Sequence, residues 1–223
     1  MKDQQLIKDL LAALLAQVDA GTSLSAQQKF ALKNYWTRYE DFLHHHHSNE
    51  EDIAFPYLSK VKKCASSAKQ SADHEAILAQ LATINKMVEG VTSGSSPPSA
   101  EASSLSELST LFIEFDKTLV EHYMEEEQLI PAMRRAITPK ENAKYITNPI
   151  VSRMGVYDRG QYFSKLDAPA LKLFMKQERI PFFVKWIFAS NVKKYNKTYV
   201  HPVQDAINEA KNATAAAKPA LAA

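Results

Sequence analysis

Residues 44–56 read HHHHSNEEDIAFP, and the fold and chemistry of the whole chain turn on how this stretch is read. Four consecutive histidines followed by Glu50, Glu51 and Asp52 form a solvated polar run, a purification remnant, or one wall of a metal site. A remnant is disfavoured because the run is internal and an apolar pattern continues through it. Deciding between the other two requires the direction in which each side chain points. A helix advances about 100° per residue. With His46 at zero, Tyr35, Tyr39, Phe42, Leu43, Ile53 and Tyr57 fall within roughly 60° of it, and Glu50 at about 40°. His46 is therefore expected to aim into a core with Glu50 one turn below. His45 and His47 flank it, Glu51 lies toward the edge, and His44 is expected in solvent.

The pattern recurs near residue 122. With His122 at zero, Leu108, Leu111, Phe115, Leu119, Leu129 and Met133 lie within roughly 60°, and Glu126 again sits near 40°. HHSNEEDIAFP (46–56) and HYMEEEQLIP (122–131) thus each carry His-x-x-x-Glu on an apolar face, followed by a proline. Side chains four apart are helix-surface neighbours, so each pair can converge on one point. In ADHEAILAQL (72–81) His74 shares a stripe with Leu78 and Leu81, and Gln4-x-x-Ile7 repeats His74-x-x-Ile77.

Around these motifs the chain reads as helices. One is expected from about Asp3 to Ala20, stopping at Gly21. A second opens at Ser25, with Gln28 completing a capping box, and runs toward Pro56. A third spans about Ser71 to Gly90. GVTSGSSPPSAEASS (90–104) reads as a linker, and a fourth helix runs from about Ser104 to Ala136. Thr138-Pro139 starts a further short helix. Short connections and one longer linker imply an all-α fold, an up-down-up-down four-helix bundle over 1–137. A helical extension follows over 138–205, and 206–223 is expected to be a flexible tail.

Composition narrows the function classes. The 223 residues include 45% hydrophobic and 23% charged, ordinary for a chain that buries a core, and five glycines leave few tight hairpins. A formal net charge of +2 offers no case for nucleic acid. The one cysteine, Cys64, excludes an intrachain disulfide and a thiolate metal site, and reads as a structural or exposed thiol. LLAALLA (10–16) is amphipathic in context and lacks a preceding basic cluster, so a signal peptide is not expected; no apolar run is long enough to span a bilayer. A cytoplasmic protein is the expectation.

Glu50 and Glu126 among Leu, Phe and Tyr, with no Lys or Arg on the same stripes, cannot stay ionised uncompensated. For a single His-x-x-x-Glu, a surface pair is the ordinary reading. Two on inward faces, with His74 between them, call for a cation. Imidazole with carboxylate suits iron, manganese or zinc.

These residues resemble the hemerythrin-like, or HHE cation-binding, domain family: HHSNEEDIAFP, ADHEAI and EHYMEEEQLIP fit three of its four helix motifs. The resemblance implies a non-haem di-iron centre in a four-helix bundle. His46, His74 and His122 would be the nitrogen ligands, Glu50 and Glu126 the bridging carboxylates, and one position would stay open to dioxygen or another small ligand. No histidine precedes His44, so Gln4 stands where the first-helix ligand is expected, and His47 and Glu51 are weaker ligand candidates. Leu78 stands where the invertebrate oxygen carriers place a further histidine. Binding or sensing dioxygen, or holding iron, is the leading expectation. An enzyme that activates oxygen or peroxide near Tyr35, Tyr39 or Tyr57 is the second, and a metal-free interaction module the third. The extension has no counterpart in the motif. IPFFVKWIFASNVKKY (180–195) is apolar on nearly every face. Packing on the bundle is favoured, ahead of a dimer interface through 167–200 and, last, a membrane surface carried by Lys185, Lys193, Lys194 and Lys197.

Overall fold

A computed structural model describes residues 2–61, 68–94, 96–178 and 180–217. Cys64 falls outside them. The chain is all-α: α1 (Lys2–Asp19), α2 (Ala26–Asn49), α3 (Phe55–Lys60), α4 (Ala68–Thr92), α5 (Pro98–Ala136), α6 (Pro139–Asn142), α7 (Asn148–Arg153), α8 (Val156–Ser164), α9 (Ala168–Gln177), α10 (Val184–Tyr195) and α11 (His201–Ala217). Among the described residues no helix is long and apolar enough to cross a membrane.

Helix ends follow the local chemistry. Gly21 takes φ +83°, a conformation that costs glycine little, and its amide donates to the Val18 carbonyl to close α1. Ser25 Oγ accepts from the Gln28 amide while Gln28 Oε1 accepts from the Ser25 amide, the expected capping box. Thr138 caps α6 with Pro139 in the first turn and Glu141 reaching back. The expected 90–104 linker is shorter than its composition suggests. α4 continues to Thr92 and α5 begins at Pro98, where a proline's missing amide is harmless.

The second helix does not run unbroken to Pro56. Glu50–Ala54 is a π-helical turn in which the Phe55 amide donates to the Glu50 carbonyl, five residues back. A proline cannot donate, and its ring crowds the carbonyl four residues earlier; widening the preceding turn relieves both. The arrangement recurs at Ala143–Thr147 before Pro149 and at Asn196–Val200 before Pro202.

The chain divides into two compact units, neither of which follows the expected boundaries at 137 and 205. The first comprises Met1–Asp41, Ile77–Leu119 and Thr198–Ala223. It is a bundle of α1, parts of α2, α4 and α5, and α11. Ile7, Leu10, Leu14, Tyr35, Trp36, Ile77, Leu81, Phe112 and Phe115 fill its core. Tyr35 donates to Asp3 across α1 and α2, and the Trp36 ring meets the Phe112 edge at 6.2 Å. Lys29 pairs with buried Glu101 at 2.7 Å, and Glu101 also accepts from the Leu24 amide, so the buried acid is both neutralised and hydrogen-bonded. Residues 206–217, expected as part of a flexible tail, are helical instead. Val203, Ala206, Ile207 and Ala210 of α11 are buried, and α11 packs on α1. The alanine-rich composition that suggested fraying also makes a strong helix former once one face has a partner.

The second unit comprises Phe42–Ala76 and Val120–Lys197. Here most of the extension packs around the ends of α2 and α5. Ala54, Leu58, Ile137 and Ile146 form a small core, and Tyr57 stacks on Tyr145 at 4.8 Å. Phe163 stacks on Phe188 at 3.8 Å. Burial does not extend to the whole apolar run, contrary to expectation: Phe182, Phe183, Trp186 and Ile187 are exposed, Phe182 to 70%.

α8 and α10 meet at Gly160, where an added Cβ would lie 2.5 Å from the Asn191 carbonyl oxygen and 2.6 Å from Tyr195 Cβ. Gly160→Ala is therefore expected to cost about 1–3 kcal/mol in urea unfolding, through forced separation of the two helices. An unchanged denaturation midpoint would show that they do not pack this closely.

Candidate metal centre

All the histidines and carboxylates that converge do so within the second unit. His46 and His47 come from the last turn of α2, Glu50 and Glu51 from the π-helical turn, His74 from α4, and His122 and Glu126 from α5. Their donor atoms fall into two groups, each with all atoms within 4.8 Å of one another: His47, His74 and His122 in one, His46, Glu50 and Glu126 in the other. The groups adjoin. His74 Nε2 lies 3.4 Å from Glu50 Oε2 and 3.6 Å from Glu126 Oε1. Glu126 divides its oxygens, Oε1 lying 3.1 Å from His122 Nε2 and Oε2 4.0 Å from His46 Nε2. Glu50 Oε2 is also 3.6 Å from His46 Nε2. Each carboxylate thus reaches both groups.

His46 Nε2, both ring nitrogens of His47 and of His122, His74 Nε2, Glu50 Oε2 and Glu126 Oε1 are shielded from solvent yet have no hydrogen-bond partner among the described residues. Buried polar groups are ordinarily satisfied, so such a concentration of orphaned atoms fits a cation. The donor set, imidazole nitrogen and carboxylate oxygen without sulfur among the described residues, is that of iron, manganese or zinc.

His47 is the residue the sequence reading placed wrongly. Expected on the flank, it is 2% exposed and its ring stacks on His74 at 4.2 Å. The side chain of His46, expected to be the inward one, is 32% exposed. The buried stripe of α2, taken over Leu32, Tyr35, Trp36, Tyr39 and Leu43, is centred about 40° from His46 toward His47. Both histidines therefore straddle it. Ile53 and Tyr57 had pulled the estimate back, but Ile53 lies within the π-helical turn and Tyr57 beyond it, where the 100° count no longer holds.

Glu51, a weaker ligand candidate, has another task. Its Oε1 lies 2.9 Å from His74 Nδ1, and its Oε2 accepts from Ser71 Oγ. A carboxylate on Nδ1 fixes the ring and leaves Nε2 free to face the centre. Gln4 is buried on α1 in the first unit and is not among the residues the second unit assembles. His44 is exposed, as expected. His45 turns away to Asp158 at 3.1 Å. Tyr35 is engaged with Asp3 in the first unit and Tyr57 with Tyr145. The tyrosine beside the cluster is Tyr123, 5.6 Å from the His46 ring and 5.8 Å from His122, and Phe55 stacks on His74 at 5.8 Å. Neither role was foreseen. Tyr123 directly follows His122 in the chain, and that adjacency was the only available signal.

Comparison with known families bears directly on this geometry. Residues 1–96 match the hemerythrin HHE cation binding domain. The hemerythrin match includes His46, His47, Glu50 and His74 and ends before His122 and Glu126, which complete the cluster from α5. No curated protein and no solved structure matches the chain.

The electrostatics are those of a site built around a missing positive charge. Burial, the Glu126 charge and the Glu51 charge push Glu50 up to about 9. Burial opposes ionisation of Glu126 as well, but the His122 and His74 imidazoles outweigh it and hold Glu126 down to about 2. Burial lowers His46 to about 4 and His47 to about 2. Burial also disfavours the charged form of His74, but Glu126 and Glu51 more than offset it and raise that ring.

At neutral pH the metal-free centre therefore carries a proton on Glu50, and an entering cation expels it. Apparent affinity for manganese or zinc is expected to rise nearly tenfold per pH unit from 6.5, more gently above 8, and to level off past 9. His46 and His47 are already neutral throughout that range and add no slope. Competitive chelator titrations at three pH values measure this; a flat response would mean that Glu50 is not displaced. Glu51→Gln should weaken binding about 10–100-fold by releasing the His74 ring, with far-UV circular dichroism unchanged.

Proposed function

We propose that the protein binds a pair of non-haem iron ions in the second unit and takes dioxygen or another small ligand at the outer one. The observation that carries this reading is that both carboxylates approach histidines of both adjoining donor groups, Glu126 with its two oxygens and Glu50 with Oε2. A single-ion site would need no such sharing. His47, His74 and His122 would hold the inner ion, and His46 the outer, with Glu50 and Glu126 spanning them. Iron held this way would supply reversible electron exchange and an affinity for small ligands.

The two positions are not equivalent. The inner one is ringed by three buried imidazoles, whereas His46, Glu50 and Glu126 are only partly buried. Three protein donors on the outer ion leave room for an exogenous ligand, the pattern of open rather than closed metal sites. The inner triad is complete without Gln4. The substitution of that glutamine for a first-helix histidine thus does not by itself reduce the stoichiometry.

About two irons per chain are expected by mass spectrometry of protein loaded anaerobically with ferrous iron. His47→Ala is expected to lower retained iron by at least half, and the double change His122→Ala, Glu126→Ala to abolish it. Iron unaffected by His47→Ala, with the helical signal intact, would return that residue to the flank and undo the two-site reading.

A further inference from the structure

Beside the outer donor group lies a cavity of about 610 Å³, within the range of small-molecule sites and far larger than a diatomic ligand needs. Its walls are mostly apolar. Phe42 comes from α2; Ile146, Ile150, Met154, Phe163 and Phe174 come from the π-helical turn at 143–147 and from the segment that continues through α9. All of these but Phe42 lie beyond the residues that match the hemerythrin domain. The extension therefore builds a chamber against the metal centre, with His46 and Glu50 forming part of its lining.

The chamber's surfaces are fixed rather than collapsed. Phe163 is buried, stacked on Phe188 and set against Phe174 at 5.7 Å. Lys165 Nζ sits over the Phe42 ring at 4.0 Å. Aromatic faces held this way offer an apolar ligand contact at little cost in side-chain ordering.

Among the polar groups of the lining are three acids, Glu50, Asp158 and Glu178, together with His45, His46 and Arg153. Asp158 accepts from the Gly155 amide and lies against His45. The Arg153 guanidinium donates to Asp52 at 3.0 Å. Glu178 differs: its Oε2 is shielded from solvent and has no hydrogen-bond partner among the described residues. Glu178 lines the chamber together with Tyr162, whose hydroxyl is pushed up by burial and by the Glu178 charge. A half-buried carboxylate with one shielded oxygen unpaired among the described residues, at the edge of an apolar chamber, suits a donor of opposite charge.

We propose that this chamber is a binding site for an apolar amine, its ammonium on Glu178 and its body along Phe42, Ile150, Phe163 and Phe174, beside the His46–Glu50 face of the metal centre. The site goes beyond the reading of the centre itself and needs no ion to form. A carboxylate-bearing ligand of the same size would meet Glu178 and Asp158 with like charge.

Dansylcadaverine, an apolar naphthalene with a primary ammonium on a flexible chain, tests this. Titrated into the full chain, metal-free and zinc-loaded, it is expected to bind saturably with a blue shift in emission. The matching dansyl-aminohexanoate should bind at least tenfold more weakly to the metal-free protein. Glu178→Gln should weaken the amine about 10–100-fold, the range for losing a hydrogen bond to a charged group, and leave a neutral hydroxyl-terminated analogue unchanged. Ile150→Trp should remove binding of both while zinc content stays at the wild-type value, which also shows that the variant folds. Three outcomes would each overturn the site: no saturable blue shift, equal binding of acid and amine to metal-free protein, or indifference to Glu178→Gln. If zinc fails to load but the amine still binds, the metal reading falls and this one stands.

Discussion

Two glutamates that approach the same histidine inside a protein cannot both be ionised without a positive charge between them. Coulomb repulsion and lost hydration add, and the chain has only two remedies: a proton or a cation. In the metal-free protein the proton sits on Glu50. The neighbouring imidazoles of His46 and His47 are held neutral by the same burial, so they present lone pairs rather than N–H⁺ groups to the centre. Low dielectric thus keeps His46 and His47 in the form a cation needs, whereas Glu50 would give up a proton on binding and His74 is pulled toward its charged form by Glu126 and Glu51. The cost of leaving these groups unpaired explains why the cluster takes residues from α2, α4 and α5 and supports His74 from behind with Glu51.

The π-helical turn at Glu50–Ala54 is part of the same arrangement. Pro56 weakens a regular turn before it by lacking an amide donor, and in the wider turn Glu50 and Glu51 serve different ends: Glu50 faces His46 and His74 Nε2, while Glu51 takes His74 Nδ1. This turn also contacts the π-helical turn at Ala143–Thr147, and Ala54 and Ile146 share one apolar cluster. The extension is thereby seated on the segment that carries Glu50. A proline that looks like a helix stop in sequence acts here as the reason for a specific backbone shape.

Sequence patterns made much of this legible, for reasons that also mark where they stop. Gly21, Ser25-x-x-Gln28 and Thr138-Pro139 act through backbone hydrogen bonds within a few residues, so the local sequence was sufficient. His74, His122, Glu50 and Glu126 were found because an ionisable group on an apolar stripe is costly anywhere, whatever packs against it. The choice between His46 and His47 was lost because they differ by one helical step, finer than a stripe can resolve when residues past a π-helical turn are counted in it. Asp158, the chamber wall and the division into two units depend on contacts between segments a hundred residues apart. No periodicity encodes those. The tail was misjudged because low complexity was taken as disorder, whereas Val203, Ala206, Ile207 and Ala210 lie on one helix face and are buried.

The asymmetry of the cluster has a consequence for what the centre can do. An inner position walled by three imidazoles and two aromatic neighbours, Phe55 and Tyr123, has little room for an added ligand. The outer position is bounded by the partly exposed His46 and opens toward a chamber built by the extension. On the proposed reading, ligand exchange would belong to the side that the chamber adjoins. A bundle that only stored cations would gain nothing from such a chamber. Building it required residues 146–178 to be packed against the end of α2, and that packing carries its own ordering cost. On the proposed reading, ligand selectivity would rest with the extension, while the donor atoms come from α2, the π-helical turn, α4 and α5.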